Sequence, residues 1–167
     1  KHKDRIFNLC YRFLGDYDEA NDSAQEAFVK AYESLNAFRL ESAFSTWLYR
    51  IAVNACKNKL GSSAYKARRK TVSLENPGHP SDEPLSMEIP NGAPSPLARM
   101  EEKEKLTLVQ RALDTLPTEF KMVVTLRDVE GLSYEDIAET TGLNLGTVKS
   151  RIARGRTDLR NRLRGVL

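Results

Sequence analysis

Residues 142–160 read "GLNLGTVKSRIARGRTDLR". Val148, Ile152 and Leu159 recur there at helical spacing, yet the same stretch carries Lys149, Arg151, Arg154, Arg156 and Arg160. On a helix turning about 100° per residue, Val148, Ile152, Gly155, Leu159 and Leu163 share one side. Ser150, Ala153, Arg154 and Thr157 point the opposite way, with Gly146 and Thr147 at the N-terminal end. Lys149 and Arg156 flank one edge and Arg151 the other. A solvated basic face would account for the charge, but not for small, hydrogen-bonding residues opposite the apolar side. The DNA major groove admits one α-helix, with such residues toward the base edges and cations toward the phosphates. Just upstream, Ala138, Gly142 and Val148 have the spacing of a helix-turn-helix. The small Ala138 permits close approach, Gly142 supplies a turn of positive φ, and Val148 packs the second helix back on the first. Asn144 and Ser133 are placed as N-caps. The stretch therefore predicts a DNA-binding helix-turn-helix over residues 134–153, contacting DNA through Thr147, Lys149, Ser150, Arg151 and Arg154.

Outward from this stretch the charge is segregated. From Val148 to the end there are seven basic residues against one acid, Asp158, whereas Asp16 to Glu26 holds five acids and no base. The net charge of +3 hides an acidic and a basic end, which implies two different partners. The 167-residue length suits one ordinary domain or two small ones. No apolar run is long enough to cross a bilayer and no secretory pattern opens the chain, so a cytoplasmic protein is expected. The chain starts at Lys1, already helix-like, so N-terminal sequence is expected to be missing. Cys10 and Cys56 form no C-x-x-C pair; two free buried thiols are the default reading, with a disulfide left open.

The pattern elsewhere is all-helical. Ile6, Leu9, Cys10, Phe13 and Leu14 form one apolar stripe. Ala20, Ala24, Ala27, Phe28, Ala31, Tyr32 and Leu35 form a second, and Phe44, Leu48, Ile51 and Ala55 a third. Leu106, Val109, Leu113 and Leu116 predict a helix stopped before Pro117, and Phe120, Val123, Val124 and Leu126 another ending near Gly131. No strand-like alternation occurs, which disfavours parallel-sheet enzymes. Residues 61–96 contain six of the seven prolines and show no periodicity, so they are expected to be a mobile linker. The organisation expected is all-α: a helical domain over 1–60, a linker over 61–96, and a helix-turn-helix domain over 97–167.

Three segments carry a family resemblance. "LPTEFKMVVTLRDVEGLSYEDIAETTGLNLGTVKSRIARGR" resembles the C-terminal domain of bacterial sigma factors. "DYDEANDSAQEAFVKAYESL" and "SAFSTWLYRIAVNACKNKL" resemble their core-binding and promoter-melting regions, and the best match is the two-domain extracytoplasmic-function class. The resemblance implies a protein that binds core RNA polymerase and directs it to promoters with −35 and −10 elements, without cofactor or metal. It places polymerase docking on Asp22, Gln25, Glu26 and Phe28. It places the −10 element and the melted strand on Tyr49, Arg50, Asn54 and Lys57, where an aromatic face and cations on one helix face suit unpaired bases. Residues 38–44 match the loop that holds a flipped-out base. An anti-sigma factor that clamps both domains together is an implied further partner. Ala153 stands where relatives often carry a bulky residue, and Gly155 after Arg154 is expected to make the helix less rigid. The competing readings are a stand-alone helix-turn-helix regulator, disfavoured by the acidic helical N-terminus, and a recombinase-like enzyme. His2 and His79, at the chain start and in the linker, build no nucleophile or metal arrangement for the latter.

Overall fold

The computed structural model describes residues 2–39, 42–67, 104 and 107–164, and every regular element among them is helical. The chain divides into two compact units, Lys1–Glu83 and Pro84–Leu167. The expected linker lies almost wholly outside the described residues, and so does its predicted mobility.

In the N-terminal unit, α1 (Lys3–Leu14) ends at Gly15, whose φ of 72° lets its N–H reach the Tyr11 carbonyl at 2.8 Å. Asp16 then starts α2 (Tyr17–Glu33): its carboxylate accepts the Glu19 N–H at 2.9 Å. A single 3₁₀ turn (Leu35–Ala37) precedes α3 (Phe44–Gly61). The core forms where Ile6, Leu9 and Cys10 of α1 and Leu48, Ala52, Val53 and Cys56 of α3 meet the alanine line of α2. Ala20, Ala24, Ala27 and Ala31 recur every three or four residues and are all buried, so α2 presents no large knob and its neighbours approach closely. Lys59 closes the unit with an ion pair to Glu19 at 2.5 Å.

Two expectations are corrected here. Tyr32 and Leu35, assigned to the apolar stripe of α2, are 82% and 48% exposed. Tyr32 sits about 100° round the helix from the buried Ala31, and Leu35 lies beyond the end of α2. Residues 61–67, assigned to the linker by composition, belong to the N-terminal unit. Residues 63–67 are helical, and the buried Tyr65 donates its hydroxyl to the Leu14 carbonyl at 2.7 Å. One long-range aromatic anchor thus outweighs a polar, aperiodic composition.

In the C-terminal unit, helical residues 107–114 precede α4 (Thr118–Val124), which runs directly into a π-helical turn (Thr125–Val129). The Glu130 N–H reaches the Thr125 carbonyl five residues back at 3.1 Å, and Gly131 takes a φ of 73° to leave the helix. Helix α5 (Tyr134–Thr141) starts on a capping box in which Ser133 and Asp136 serve each other's N–H groups. Gly142 ends it at φ 72°, and the Asn144 side chain caps α6 (Leu145–Leu163) by accepting the Thr147 N–H at 2.8 Å. Leu126, Ile137, Val148 and Ile152 are almost fully buried at the centre. Val109, expected in the core, is 42% exposed instead.

Gly155 has a packing role that its sequence context hides. A Cβ there would sit 2.6 Å from Val124 Cγ2 and 3.2 Å from Phe120 Cβ. The backbone of α6 therefore rests directly on α4 at this position.

Candidate nucleic-acid and polymerase interfaces

Helix α6 buries Val148, Ile152 and Gly155 and turns Lys149, Ser150, Ala153, Arg154 and Thr157 outward. Thr147 is half-buried. The Ser150 and Thr157 hydroxyls donate to the carbonyls of Thr147 and Ala153, each at 3.0 Å, so each oxygen still faces outward as an acceptor. Lys149 and Arg154 make no ion pair among the described residues, and their charge is available to a ligand. Arg151, an expected DNA contact, is paired in the free chain: its guanidinium meets Glu119 of α4 at 2.8 Å. Arg156 is likewise engaged, donating from Nε to Asp128 Oδ2 at 3.0 Å and from the terminal nitrogen to Oδ1. The pairing raises the Arg156 pKa, first through the Asp128 hydrogen bond. Periodicity placed both arginines at the edges of the helix; their acidic partners come from other elements and were invisible to it.

Helix α3 presents Arg50, Asn54 and Lys57 along one edge at offsets of four and seven residues, the first two exposed and Lys57 half-buried. Tyr49 is not with them. It is 6% exposed, and its neighbours on that supposed outer face, Thr46 and Val53, are buried too, so its ring is withdrawn from stacking. Helix α3 is packed on more than one side, and a single-stripe reading of it exposes too much. The aromatic groups near solvent lie at its start. Phe44, 39% exposed, packs edge-on against Phe38 at 5.8 Å and near the buried Trp47 at 5.5 Å. His2 completes the group at 5.6 Å from Phe44. This cluster borders the loop of residues 38–44, of which residues 40 and 41 lie outside the described set.

Helix α2 carries Asp22, Gln25 and Glu26 exposed on one face, with Phe28 half-buried beside them. Glu26 accepts a hydrogen bond from Lys30 at 2.5 Å. The acidity is felt nearby: the Lys59 pKa is raised, first by its hydrogen bond to Glu19 and also by the charges of Asp22 and Glu26. Val29, 57% exposed, and Tyr32 extend this face with apolar surface. Helical spacing groups Val29 with Asp22, Gln25 and Glu26, whereas Tyr32 was assigned to the apolar stripe and missed as a surface group.

Cys10 and Cys56 are free and fully buried. The Cys56 pKa is driven far up, first by a hydrogen bond with Cys10 and then by burial, which keeps the thiol protonated. No helix among the described residues is long and apolar enough to cross a membrane.

A helix-turn-helix whose second helix carries exposed cations beside small and hydroxylic side chains, in a chain with a separate acidic face, is the arrangement of a DNA-reading protein. Residues 1–65 match the family described as Sigma-70 region 2, and residues 106–159 match Sigma-70, region 4. The chain is 40% identical over 167 residues to the RNA polymerase sigma-H factor of Pseudomonas aeruginosa, covering 100% of this chain and 84% of that protein. It is 38% identical over 168 residues to the ECF RNA polymerase sigma-E factor of Escherichia coli K12, covering 100% and 85%. Its fold is similar to that of the sigma factor RpoE of Bartonella quintana, solved in complex with the anti-sigma factor NepR. The TM-score is 0.67 at 22% identity, covering 96% of this chain and 90% of that one. The chain belongs to the sigma-70 family, in its extracytoplasmic-function class, and acts as a promoter-directing sigma factor of RNA polymerase.

Proposed function

We propose a division of this role between the two units, residue by residue. The C-terminal unit reads the −35 element by laying α6 in the major groove. Ser150, Thr147 and Arg154 face base edges and Lys149 meets phosphate. The observation that carries this reading is the outer face of α6, where unpaired cations border small and hydroxylic side chains. Arg151 joins the contact only by exchanging Glu119 for a phosphate. The N-terminal unit, extended from residue 60 through Tyr65, docks on the polymerase through Asp22, Gln25, Glu26 and Phe28, with Val29 and Tyr32 supplying the apolar part of the contact. The α3 edge of Arg50, Asn54 and Lys57 tracks the backbone of the opened −10 strand. Base stacking falls to Phe38 and Phe44 in place of Tyr49.

The protein performs no bond chemistry in this scheme. It uses binding energy to favour the open promoter, and it works in the cytoplasm, where polymerase and DNA are. An anti-sigma factor is its expected inhibitor, the Bartonella quintana relative of the same fold having been solved with one. Run-off transcription tests the reading as a whole. Core polymerase given this chain should start transcripts on fragments that core alone ignores. A chain that binds promoter duplex but never changes the start sites used by polymerase would instead be a stand-alone regulator.

A further inference from the structure

Two acids stand beside the DNA-facing helix, and simple electrostatics opposes them. An acid close to a phosphate backbone weakens binding to every sequence. Glu119, in the first turn of α4, and Asp128, in the π-helical turn, nevertheless hold Arg151 and Arg156. On α6 these arginines lie on opposite flanks, roughly 70° to either side of the line through Val148, Ile152, Gly155 and Leu159 at about 100° per residue. Each flank is therefore tied down by one ion pair.

The two ties differ in strength. Arg151–Glu119 is a single contact at 2.8 Å, with the two side chains 28% and 50% exposed. Arg156–Asp128 is two-pronged, and Tyr134 lies near enough to the same guanidinium to add to the upward shift of its pKa. Tyr134 is itself fixed, because Arg127 lies 4.8 Å over its ring while donating to the Leu132 carbonyl at 2.7 Å. The stronger tie thus joins α6 to the π-helical turn, beside Tyr134 at the start of α5. Between the ties the contact at Gly155 is backbone on side chain. Val148 and Ile152, buried on the same side, hold the N-terminal half of α6 by side-chain packing, whereas at Gly155 the contact fixes how near α6 comes to α4 but adds no knob of its own. Exposed ion pairs each contribute modestly, enough to adjust the setting of a helix already packed by its core side chains.

We infer that Glu119 and Asp128 are positioning residues for promoter recognition, bracing α6 from both flanks so that its rotation presents Ser150, Ala153, Arg154 and Thr157 to the base edges. The inference rests on the assignment of α6 to the major groove.

The test uses the full chain bound to core polymerase at one fixed salt concentration. A randomised duplex library selected on the unaltered protein supplies the specific duplex, and a shuffled version of the winner supplies the non-specific one. Glu119→Gln and Asp128→Asn should each lower the ratio of specific to shuffled affinity, Asp128→Asn by about tenfold, while affinity for the shuffled duplex holds or rises. Asp128→Glu should restore most of the ratio. Asp128→Asn combined with Arg156→Ala should lose no more than the worse single variant, because both remove one tie. An unchanged ratio with both affinities raised would mean that the acids merely screen charge, and the inference fails. Equal loss of both affinities with a lowered melting temperature would mean a structural role only, and again the inference fails. An unaltered protein that enriches no sequence would overturn the groove assignment itself, and the inference with it.

Discussion

At the scale of single residues, Gly155 and Arg154 are neighbours with opposite duties. A glycine inside a helix costs about 1 kcal/mol relative to alanine, so Gly155→Ala looks favourable from propensity. The close approach of Val124 and Phe120 reverses the sign. Forcing a methyl group into that contact costs about 1–3 kcal/mol, and the net effect should be destabilising. A lower urea midpoint for the variant checks this; a higher midpoint would show that α4 yields without strain. Arg154 is the converse case, exposed and without an ion-pair partner among the described residues. Arg154→Ala should leave stability within about 0.5 kcal/mol of the parent. It should cost about 1–3 kcal/mol in binding the selected duplex if the guanidinium makes a two-pronged base contact. Loss of equal size on a shuffled duplex would reassign Arg154 to phosphate.

At the scale of elements, α2 is two surfaces on one rod. Its inner line of alanines lets α1 and α3 pack tightly, while its outer face combines Asp22 and Glu26 with the exposed Val29 and Tyr32. The internal Glu26–Lys30 pair is exposed on both sides and contributes little to folding. Reversing Asp22 and Glu26 to Lys should weaken binding to core polymerase while far-ultraviolet circular dichroism and the melting curve stay near those of the parent. Tyr32→Ala should weaken the same binding with less dependence on salt, since it removes buried apolar area and not charge. Fluorescence anisotropy against core polymerase at two salt concentrations measures both. Unaltered affinity in the charge-reversed protein would move the docking surface off α2.

At the scale of the molecule, each unit carries its own core: Ile6, Leu9, Leu48 and Val53 in one, Leu126, Ile137, Val148 and Ile152 in the other. Trp47, the only tryptophan, is buried in the N-terminal unit and reports on it alone. Leu126→Ala should destabilise the C-terminal unit by about 2–5 kcal/mol through the cavity it leaves. The helical signal would then melt in two stages, with the Trp47 fluorescence transition unmoved. A Trp47 transition that shifts along with the helical signal would make the chain one cooperative unit.

The sequence by itself determined the elements and the kind of partner each end takes. The turn at Gly142, the caps at Ser133 and Asn144, and the apolar stripes all act within a few residues of themselves, and such local chemistry is legible in one dimension. The all-α class, the helix-turn-helix and the outward placement of Lys149, Ser150 and Arg154 followed from it. Only the tertiary structure decided matters that depend on what lies across from a residue. Periodicity says which residues share a side of a helix but not how many sides are covered, so Tyr49 was placed outside and Tyr32 inside. Composition marked residues 61–67 as linker, though Tyr65 finds the Leu14 carbonyl 51 residues away. Gly155 read as a weak point until Val124 was found against it, and Arg151 and Arg156 read as two more free cations until Glu119 and Asp128 arrived from α4 and the π-helical turn. In each case the deciding partner is distant in sequence, and ion pairing and steric contact act through space.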